Sequence, residues 1–329
     1  MKKIRIGILG AADIAKRRFL PALRKSEKFE FVGIAASSAS RLEKAQELAM
    51  EYSGKAYCGY ESLLASDEID AVYIPLPPSL HFRWAKEALE RGKHVLLEKP
   101  STISLRDTKE LIEIAKKNEV SVLENYGFCY HAQVQKVREV IESGMLGEIK
   151  LARAAFGFPH RSMDDFRYKA ALGGGALLDC GGYTLKAMEL FFGNMEIKTS
   201  HLMYDDMHDV DMFGSVTLQK EGDVTAQVSF GMDNAYKCEL ELWGSKGYLV
   251  APRFFTPPAD FEATLTVKAG MEERQICVEA DDSFLHTIEI FGDSIDKMQI
   301  REENGKAMIH QMELVQCILD ANPYRGKGE

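Results

Sequence analysis

No stretch of this chain approaches the ~18 uncharged apolar residues of a bilayer-spanning helix, so no membrane partner is expected. The start, Met1-Lys2-Lys3-Ile4-Arg5-Ile6, enters a strand pattern at once and carries no cleavable apolar region. Positive charge is also short. Lys and Arg number 41 against 50 Asp and Glu, a net charge of −9. The basic footprint of a nucleic-acid-binding protein is therefore missing. Cysteine is sparse: Cys58, Cys129, Cys180, Cys238, Cys277 and Cys317 show neither a CxxC pair nor zinc spacing. Each lies in an apolar or strand-like context, which predicts reduced structural thiols, no metal and a cytoplasmic location. Internal repeats and low-complexity segments are absent too. What remains is a globular composition, 46% hydrophobic and 28% charged over 329 residues, enough for two domains.

Residues 4–10, Ile-Arg-Ile-Gly-Ile-Leu-Gly, read as a buried strand running into Ala11-Ala12-Asp13-Ile14-Ala15. This is the place of a GxGxxG/A dinucleotide turn, with Gly10 first, Ala12 second and Ala15 third. Such a turn needs close backbone approach to a pyrophosphate at a helix N-terminus, where the amide dipoles favour negative charge. Gly10, Ala12, Asp13 and Ile14 are the candidate contacts, although alanine at the second position weakens the match. A helix follows from Lys16 to Lys25, with Pro21 as a distortion. The second strand, Phe29–Ala36, ends in Ser37-Ser38-Ala39-Ser40-Arg41 rather than in the acidic residue that holds an NAD ribose. Hydroxyls plus an arginine suit a 2′-phosphate, so NADP(H) is favoured over NAD(H), with Ser37, Ser38 and Arg41 as contacts. The plainer alternative has Ser40 capping the next helix and Arg41 solvated.

A helix at 41–53, a strand at Ala56-Tyr57-Cys58 and a short helix at 60–65 come next. The strand Ala71–Pro75 ends in Leu76-Pro77-Pro78-Ser79-Leu80-His81, where Ser79 is placed to cap a helix reaching Arg91. Leu76, Pro77 and His81 would then lie near the cofactor crevice. In Gly92-Lys93-His94-Val95-Leu96-Leu97-Glu98-Lys99-Pro100, Val95 to Leu97 form a buried strand. The carboxyl ends of parallel strands face a ligand crevice, and here that end carries Glu98, Lys99 and a proline that stiffens the turn. On the tripeptide alone, a surface ion pair is an equal reading. A helix at 104–118 and the strand Val120–Asn125 complete an alternation of strands and helices. The pattern is α/β, an N-terminal Rossmann-like doubly wound parallel sheet over residues 1–125, with Glu98 and Asn125 at strand ends facing the cofactor.

After Tyr126 the rhythm changes. A helix at 130–144 precedes strand-like segments at 147–157, 196–206, 211–219, 223–232, 236–243 and 263–268, with a turn at Lys220-Glu221-Gly222-Asp223. Helices near 282–298 and 305–321 follow, and Asn322-Pro323 stops the last. Residues 126–329 are thus expected to form an α+β domain with a large open, mainly antiparallel sheet, for substrate and oligomerisation. Within it, Gly173-Gly174-Gly175 marks a close backbone approach before a helix, and Asp179 and Tyr183, four apart, would share one helical face. Tyr204, Asp205, Asp206, His208, Asp209 and Asp211 lack metal-ligand spacing and read as solvated loop.

Taken together, the turn after the first strand, Glu98-Lys99-Pro100 and Gly173-Gly174-Gly175-Ala176-Leu177-Leu178-Asp179 resemble the glucose–fructose oxidoreductase / inositol dehydrogenase / rhizopine-catabolism family of NAD(P)-dependent oxidoreductases. The likeness spans nearly the whole chain. It implies that Lys99, at the family's lysine, lies beside the nicotinamide, and that Asp179 matches the family's pocket aspartate. Many members have His four residues after that aspartate, whereas this chain has Tyr183, as in the tyrosine-containing subgroup. Ala12–Leu23, Pro75-Leu76-Pro77, Glu124-Asn125, Asp165-Phe166-Arg167-Tyr168 and Phe255-Thr256-Pro257-Pro258 look most like nucleotide-sugar 3-ketoreductases of deoxysugar biosynthesis. The implied reaction is reduction of a sugar ketone by NADPH, with Tyr183 as proton donor, Lys99 as its electrostatic and acid–base partner, and Asp179 as the third catalytic residue. Arg167 would contact cofactor or substrate; Arg161 and Lys186 are weaker candidates for a diphosphate. A homodimer or homotetramer is expected. Two rivals stand: a dehydrogenase of a free sugar or a trans-dihydrodiol, and a catalytically silent NADP(H)-binding sensor or scaffold.

Overall fold

The computed structural model describes residues 2–220 and 224–323. The chain divides into two compact units. One comprises the residues to Tyr126 together with Phe284–Met312, and the other comprises Gly127–Ser283 with the chain from Glu313 onward.

In the first unit six parallel strands are ordered β3-β2-β1-β4-β5-β6. They are β1 (Ile4–Leu9), β2 (Phe29–Ala36), β3 (Lys55–Cys58), β4 (Ala71–Ile74), β5 (His94–Glu98) and β6 (Val122–Asn125). The strand order reverses between β1 and β4, and in such sheets the crevice outside the carboxyl ends at that switch point is the ligand site. The helices are α1 (Leu20–Leu23), α2 (Leu42–Glu51), α3 (Tyr60–Leu64), α4 (Pro78–Glu90) and α5 (Leu105–Lys117). One face of the sheet buries Ile6, Ile8, Phe19, Phe29 and Tyr73, with Phe19 stacked on Tyr73 at 3.9 Å between ring centroids. Ile288 and Phe291 belong to the same cluster.

That contact explains why one cut after residue 125 does not describe the chain. Helix α8 (Ser283–Asp296) carries its apolar side back to the first sheet, where Phe291 stacks on Phe29 at 5.7 Å and Ser294 hydrogen-bonds Ser121. Sequence order alone gives no sign of such a return.

Local departures have physical causes. The first helix opens as a π-helical turn over Ala15–Phe19, and Pro21, lacking an N–H, sits in the first turn of α1. Ser79 caps nothing: α4 starts at Pro78, because a proline at the first position is already set to helical φ. Ser104 does cap α5, accepting the Asp107 N–H at 3.2 Å. Cys58, Cys277 and Cys317 are exposed, Cys129 is half-buried, and Cys180 and Cys238 are buried. Cys58 and Cys277 lie on strands at the edges of their sheets, and Cys317 lies on the last helix.

The second unit has an eight-stranded sheet in the order β14-β13-β12-β11-β7-β10-β9-β8. Its strands are β7 (Ile149–Gly157), β8 (Glu196–Tyr204), β9 (Asp211–Gln219), β10 (Thr225–Gly231), β11 (Lys237–Gly244), β12 (Gly247–Pro252), β13 (Ala263–Ala269) and β14 (Glu272–Val278). Among the described residues of this sheet, only β7 and β10 pair in parallel. The inner face buries Ala152, Ala154, Val216, Leu218, Val228, Leu240 and Leu242 beneath α7 (Gly182–Phe192), while α6 (Ala132–Glu142) precedes β7. The sequence pattern missed β12 and β14; β14 is an edge strand with five exposed positions of seven, so it has no alternation to read. The last helix, α9 (Met298–Ala321), starts earlier than its apolar stretch suggests. The predicted turn at 220–223 falls largely on residues 221–223, outside the described residues.

Candidate active site

At the carboxyl ends of β1, β2 and β4 lies a cavity of about 430 Å³, lined among others by Gly10, Ala12, Ser37, Arg41, Leu76 and Pro77. Gly10 has φ +100, and a Cβ there would lie 2.7 Å from Leu76 Cδ2 and 3.4 Å from the Tyr60 hydroxyl. Only bare backbone passes at this point. Pockets of a few hundred Å³ are the size that small ligands occupy. Donors, a guanidinium and a backbone turn together fit a phosphorylated dinucleotide. Ser38 Oγ lies 3.0 Å from Ser40 Oγ, so Ser40 turns to its neighbour and makes no cap on α2. Asp13 is exposed and paired with Lys44 at 3.2 Å, and Ile14 is half-buried at the start of the π turn. Tyr60 was not foreseen. It lines the cavity and hydrogen-bonds Ser37, although burial pushes its phenol pKa up overall.

The Glu98-Lys99-Pro100 turn is held from three sides, and this settles what its neighbours do. Glu98 Oε1 accepts from the Tyr73 hydroxyl at 2.7 Å and from Asn125 Nδ2 at 2.6 Å. Burial raises the Glu98 pKa, while those donors and the Lys99 charge pull against the rise. Beyond the cis Lys99-Pro100 bond, the Ser101 N–H donates to Glu124 Oε1 at 2.6 Å. The Pro100 carbonyl faces His81 Nδ1 at 2.8 Å, and His81 Nε2 lies 2.7 Å from the Leu76 carbonyl. His81 is fully buried, and burial together with the Lys99 charge lowers its pKa to about 4 against the two carbonyls. A neutral imidazole has one N–H, so at neutral pH the ring donates to one carbonyl at a time. Glu98 is hydrogen-bonded to Tyr73 and Asn125, and Lys99 is half-buried on a turn fixed before and after it. Glu98, Asn125 and His81 brace the turn. Tyr73 was missed, and Glu124 was read only as part of the resemblance, though a tyrosine and a glutamate in otherwise apolar buried strands are themselves a signal.

In the second unit, Asp179 sits in a π-helical turn over Leu177–Gly181, and Tyr183 follows in α7, so the two are not on one continuous α-helical face. Asp179 Oδ2 accepts Arg167 Nε at 2.7 Å, and Arg167 Nη1 reaches Asp165 at 3.1 Å. Flanked by two carboxylates, Arg167 keeps its charge despite burial, with its pKa raised. Gly174 is wedged against the Arg167 backbone, since a Cβ would lie 2.3 Å from that carbonyl oxygen. Tyr183 stands among Phe156, Phe128 and Phe255, at 5.2, 5.8 and 6.1 Å between ring centroids. Lys186 is tied to Glu189 at 2.7 Å, and the Arg161 guanidinium lies over Phe158 at 4.7 Å.

The 204–211 segment departs from a solvated loop. His208 and Asp211 are buried, at 6% and 5% exposure. Asp211 Oδ2 accepts the Leu177 N–H at 2.7 Å, and burial lifts its pKa to about 7 against the backbone donors. Among the described residues, no group of three or more His, Cys, Asp or Glu is placed to hold a metal.

A 3-2-1-4-5-6 parallel sheet with a phosphate-fitting cavity at its switch point, joined to a large mixed sheet, defines a nicotinamide-dinucleotide-dependent oxidoreductase with a separate C-terminal domain. The chain belongs to the GFO/IDH/MocA family: residues 4–126 match its "Oxidoreductase family, NAD-binding Rossmann fold" and residues 134–250 its C-terminal domain. It is 37% identical over 324 residues to the dTDP-3,4-didehydro-2,6-dideoxy-alpha-D-glucose 3-reductase of Saccharopolyspora spinosa, covering 96% of this chain and 97% of that one. It is 29% identical over 319 residues to the D-xylose 1-dehydrogenase (NADP(+)) 2 of Haloferax volcanii, covering 96% of each. The crystal structure of KijD10, a 3-ketoreductase from Actinomadura kijaniata in complex with NADP and TDP-benzene, superposes with a TM-score of 0.93 at 35% identity, over 98% of both chains.

Proposed function

We propose that the protein reduces the 3-keto group of a dTDP-linked 4-keto-2,6-dideoxyhexose with NADPH. One observation carries the reading: near-full-length similarity, at 37% identity, to a reductase named for that reaction. The first unit would hold NADPH through the Gly10–Ile14 turn at the pyrophosphate and through Ser37, Ser38 and Arg41 at the 2′-phosphate, with Leu76 and Pro77 as a wall. Support for NADP(H) over NAD(H) comes from Ser37, Ser40, Arg41 and Lys44 in the cavity wall, which outweigh the single carboxylate Glu43, and from the lack of an acidic residue at the end of β2 itself.

When bound in that cavity, the nicotinamide cofactor would supply the hydride for the ketone carbon. Tyr183 gives its phenolic proton to the oxygen that gains charge, a role for which a pKa of ~10 makes it a competent acid and a poor base. Lys99 supplies positive charge to the same oxygen, and its braced turn means that little reorganisation is needed. Asp179, oriented by Arg167, accepts from a substrate hydroxyl. The reading includes a cytoplasmic homodimer or homotetramer.

The test is turnover of NADPH with a dTDP-keto-sugar, beside free sugars and NADP+. Tyr183→Phe is expected to lose at least ~100-fold in kcat, within the range of general acid catalysis, while NADPH affinity stays unchanged. Unchanged turnover removes the proton-donor role. Oxidation of free sugars with no reduction of dTDP-keto-sugars would favour the second reading, a sugar dehydrogenase, which the likeness to the Haloferax enzyme supports.

A further inference from the structure

The side chains of the acidic turn between β8 and β9 reach the backbone of the segment that carries Arg167 and Asp179. Asp209 Oδ1 accepts the Ala170 N–H at 3.1 Å, and Asp211 Oδ2 accepts the Leu177 N–H at 2.7 Å. Just before them in both segments the His208 ring lies 4.9 Å from that of Tyr168, and Tyr168 stacks on His160 at 4.4 Å. Asp205 fixes His208 in turn, accepting its backbone N–H at 2.8 Å and facing its Nδ1 at 2.8 Å. Three consecutive points along 168–177 are thus held by residues 208, 209 and 211.

Contact continues inward from Asp211. A Cβ on Gly175 would lie 2.4 Å from Asp211 Oδ1, so the carboxylate rests directly on this glycine, whose φ is +119. The Gly175 N–H donates to the Arg167 carbonyl at 2.9 Å, and the Arg167 side chain holds Asp179 at 2.7 Å. Any displacement of Asp211 must therefore move the turn and the arginine that aims Asp179.

We propose that the β8–β9 turn is a clamp, with Asp211 as the positioning residue that sets Asp179 through the glycine turn and Arg167. The proposal rests on Asp179 acting in the reaction described above, and the experiment separates the two ideas. Turnover is measured for wild type, Asp211→Ala, Asp211→Asn, Asp179→Asn and the Asp179→Asn/Asp211→Ala double variant, with whichever carbonyl substrate the wild type reduces. NADPH affinity of each reports an intact first unit, and hydrogen exchange of the 167–181 amides reports the clamp without any substrate.

Asp211→Ala is expected to lose at least tenfold in kcat and to exchange those amides at least tenfold faster, with NADPH affinity within twofold of wild type. Asp211→Asn keeps an acceptor oxygen and should restore both to within threefold. In the double variant the Asp211 change should add nothing to the Asp179→Asn loss, because one acts through the other. Wild-type kcat in Asp211→Ala, or losses that multiply in the double variant, overturns the clamp. Should Asp211→Ala fail to fold, Asp209→Ala replaces it, with at least a threefold loss of kcat expected and none overturning the proposal. Wild-type kcat in Asp179→Asn overturns instead the site reading beneath it.

Discussion

Asp211 should give the second unit a pH dependence opposite to ordinary acid denaturation. Its carboxyl rises from 3.8 to about 7 on folding because burial outweighs the backbone N–H groups of Leu177 and Ala176. Between those two values the folded state holds a proton that the unfolded state has released, so stability falls as pH rises. About three pKa units at ~1.4 kcal/mol each make a contribution of about 4 kcal/mol that is fully present below pH 4 and lost by about pH 7. His81 and His94 act in the reverse sense in the first unit. Burial lowers both from 6.5 to about 4, so their contribution is present above 6.5 and lost as pH falls towards 4. The two units should therefore respond in opposite directions to the same acidification. Comparison with Asp211→Asn isolates the aspartate, because an amide does not titrate. Calorimetric Tm values for both proteins between pH 4.5 and 8 should show the variant gaining on wild type as pH rises. About 1 kcal/mol of the contribution is already lost at pH 4.5, so the remaining ~3 kcal/mol should give a gain of about 6 °C or more, at roughly 2–4 °C per kcal/mol for a unit of this size. A Tm difference flat to within about 1 °C across that range would place the folded pKa near 3.8 and refute the reasoning.

Glu98→Leu leaves the buried Tyr73 hydroxyl and Asn125 amide without their shared acceptor, at about 1–3 kcal/mol for each orphaned donor. Urea denaturation followed by first-unit probes should show a loss of that size, together with a fall in kcat as the Lys99 turn loosens. Gly174→Ala forces a methyl against the Arg167 carbonyl, and it should reduce kcat while leaving NADPH titration unchanged. Arg41→Ala should weaken NADPH binding at least ~10-fold while NADH binding moves less than twofold, the loss expected of one charged contact to phosphate. Equal effects on both cofactors would remove Arg41 from the 2′-phosphate site.

How much of this was legible depended on whether the signal was local. The parallel sheet was readable because each strand is a short apolar run closed by turn residues. The turn after β1 and the Glu98-Lys99-Pro100 turn were readable as strand ends because their turn residues are consecutive. What stayed hidden is long-range pairing. Tyr73, Glu98, Glu124 and Asn125 come from three adjacent strands, and only strand order brings them to one turn. The return of α8 to the first sheet depends on Phe29 and Phe291 meeting across more than half the chain, and an amphipathic helix carries no mark of which sheet it covers. The acidic run misled for a related reason. A string of aspartates is ordinarily solvated, and burial of one of them is worthwhile only where backbone donors wait. At Asp211 those donors belong to a turn that begins more than thirty residues earlier. Glycine was the available clue: Gly174 and Gly175 announce that something must come close, and the sequence leaves open what. The structure supplies the Arg167 carbonyl and the Asp211 carboxylate. A close-approach glycine is therefore best paired, when reading a sequence, with a polar residue that lacks a reason to be where it is.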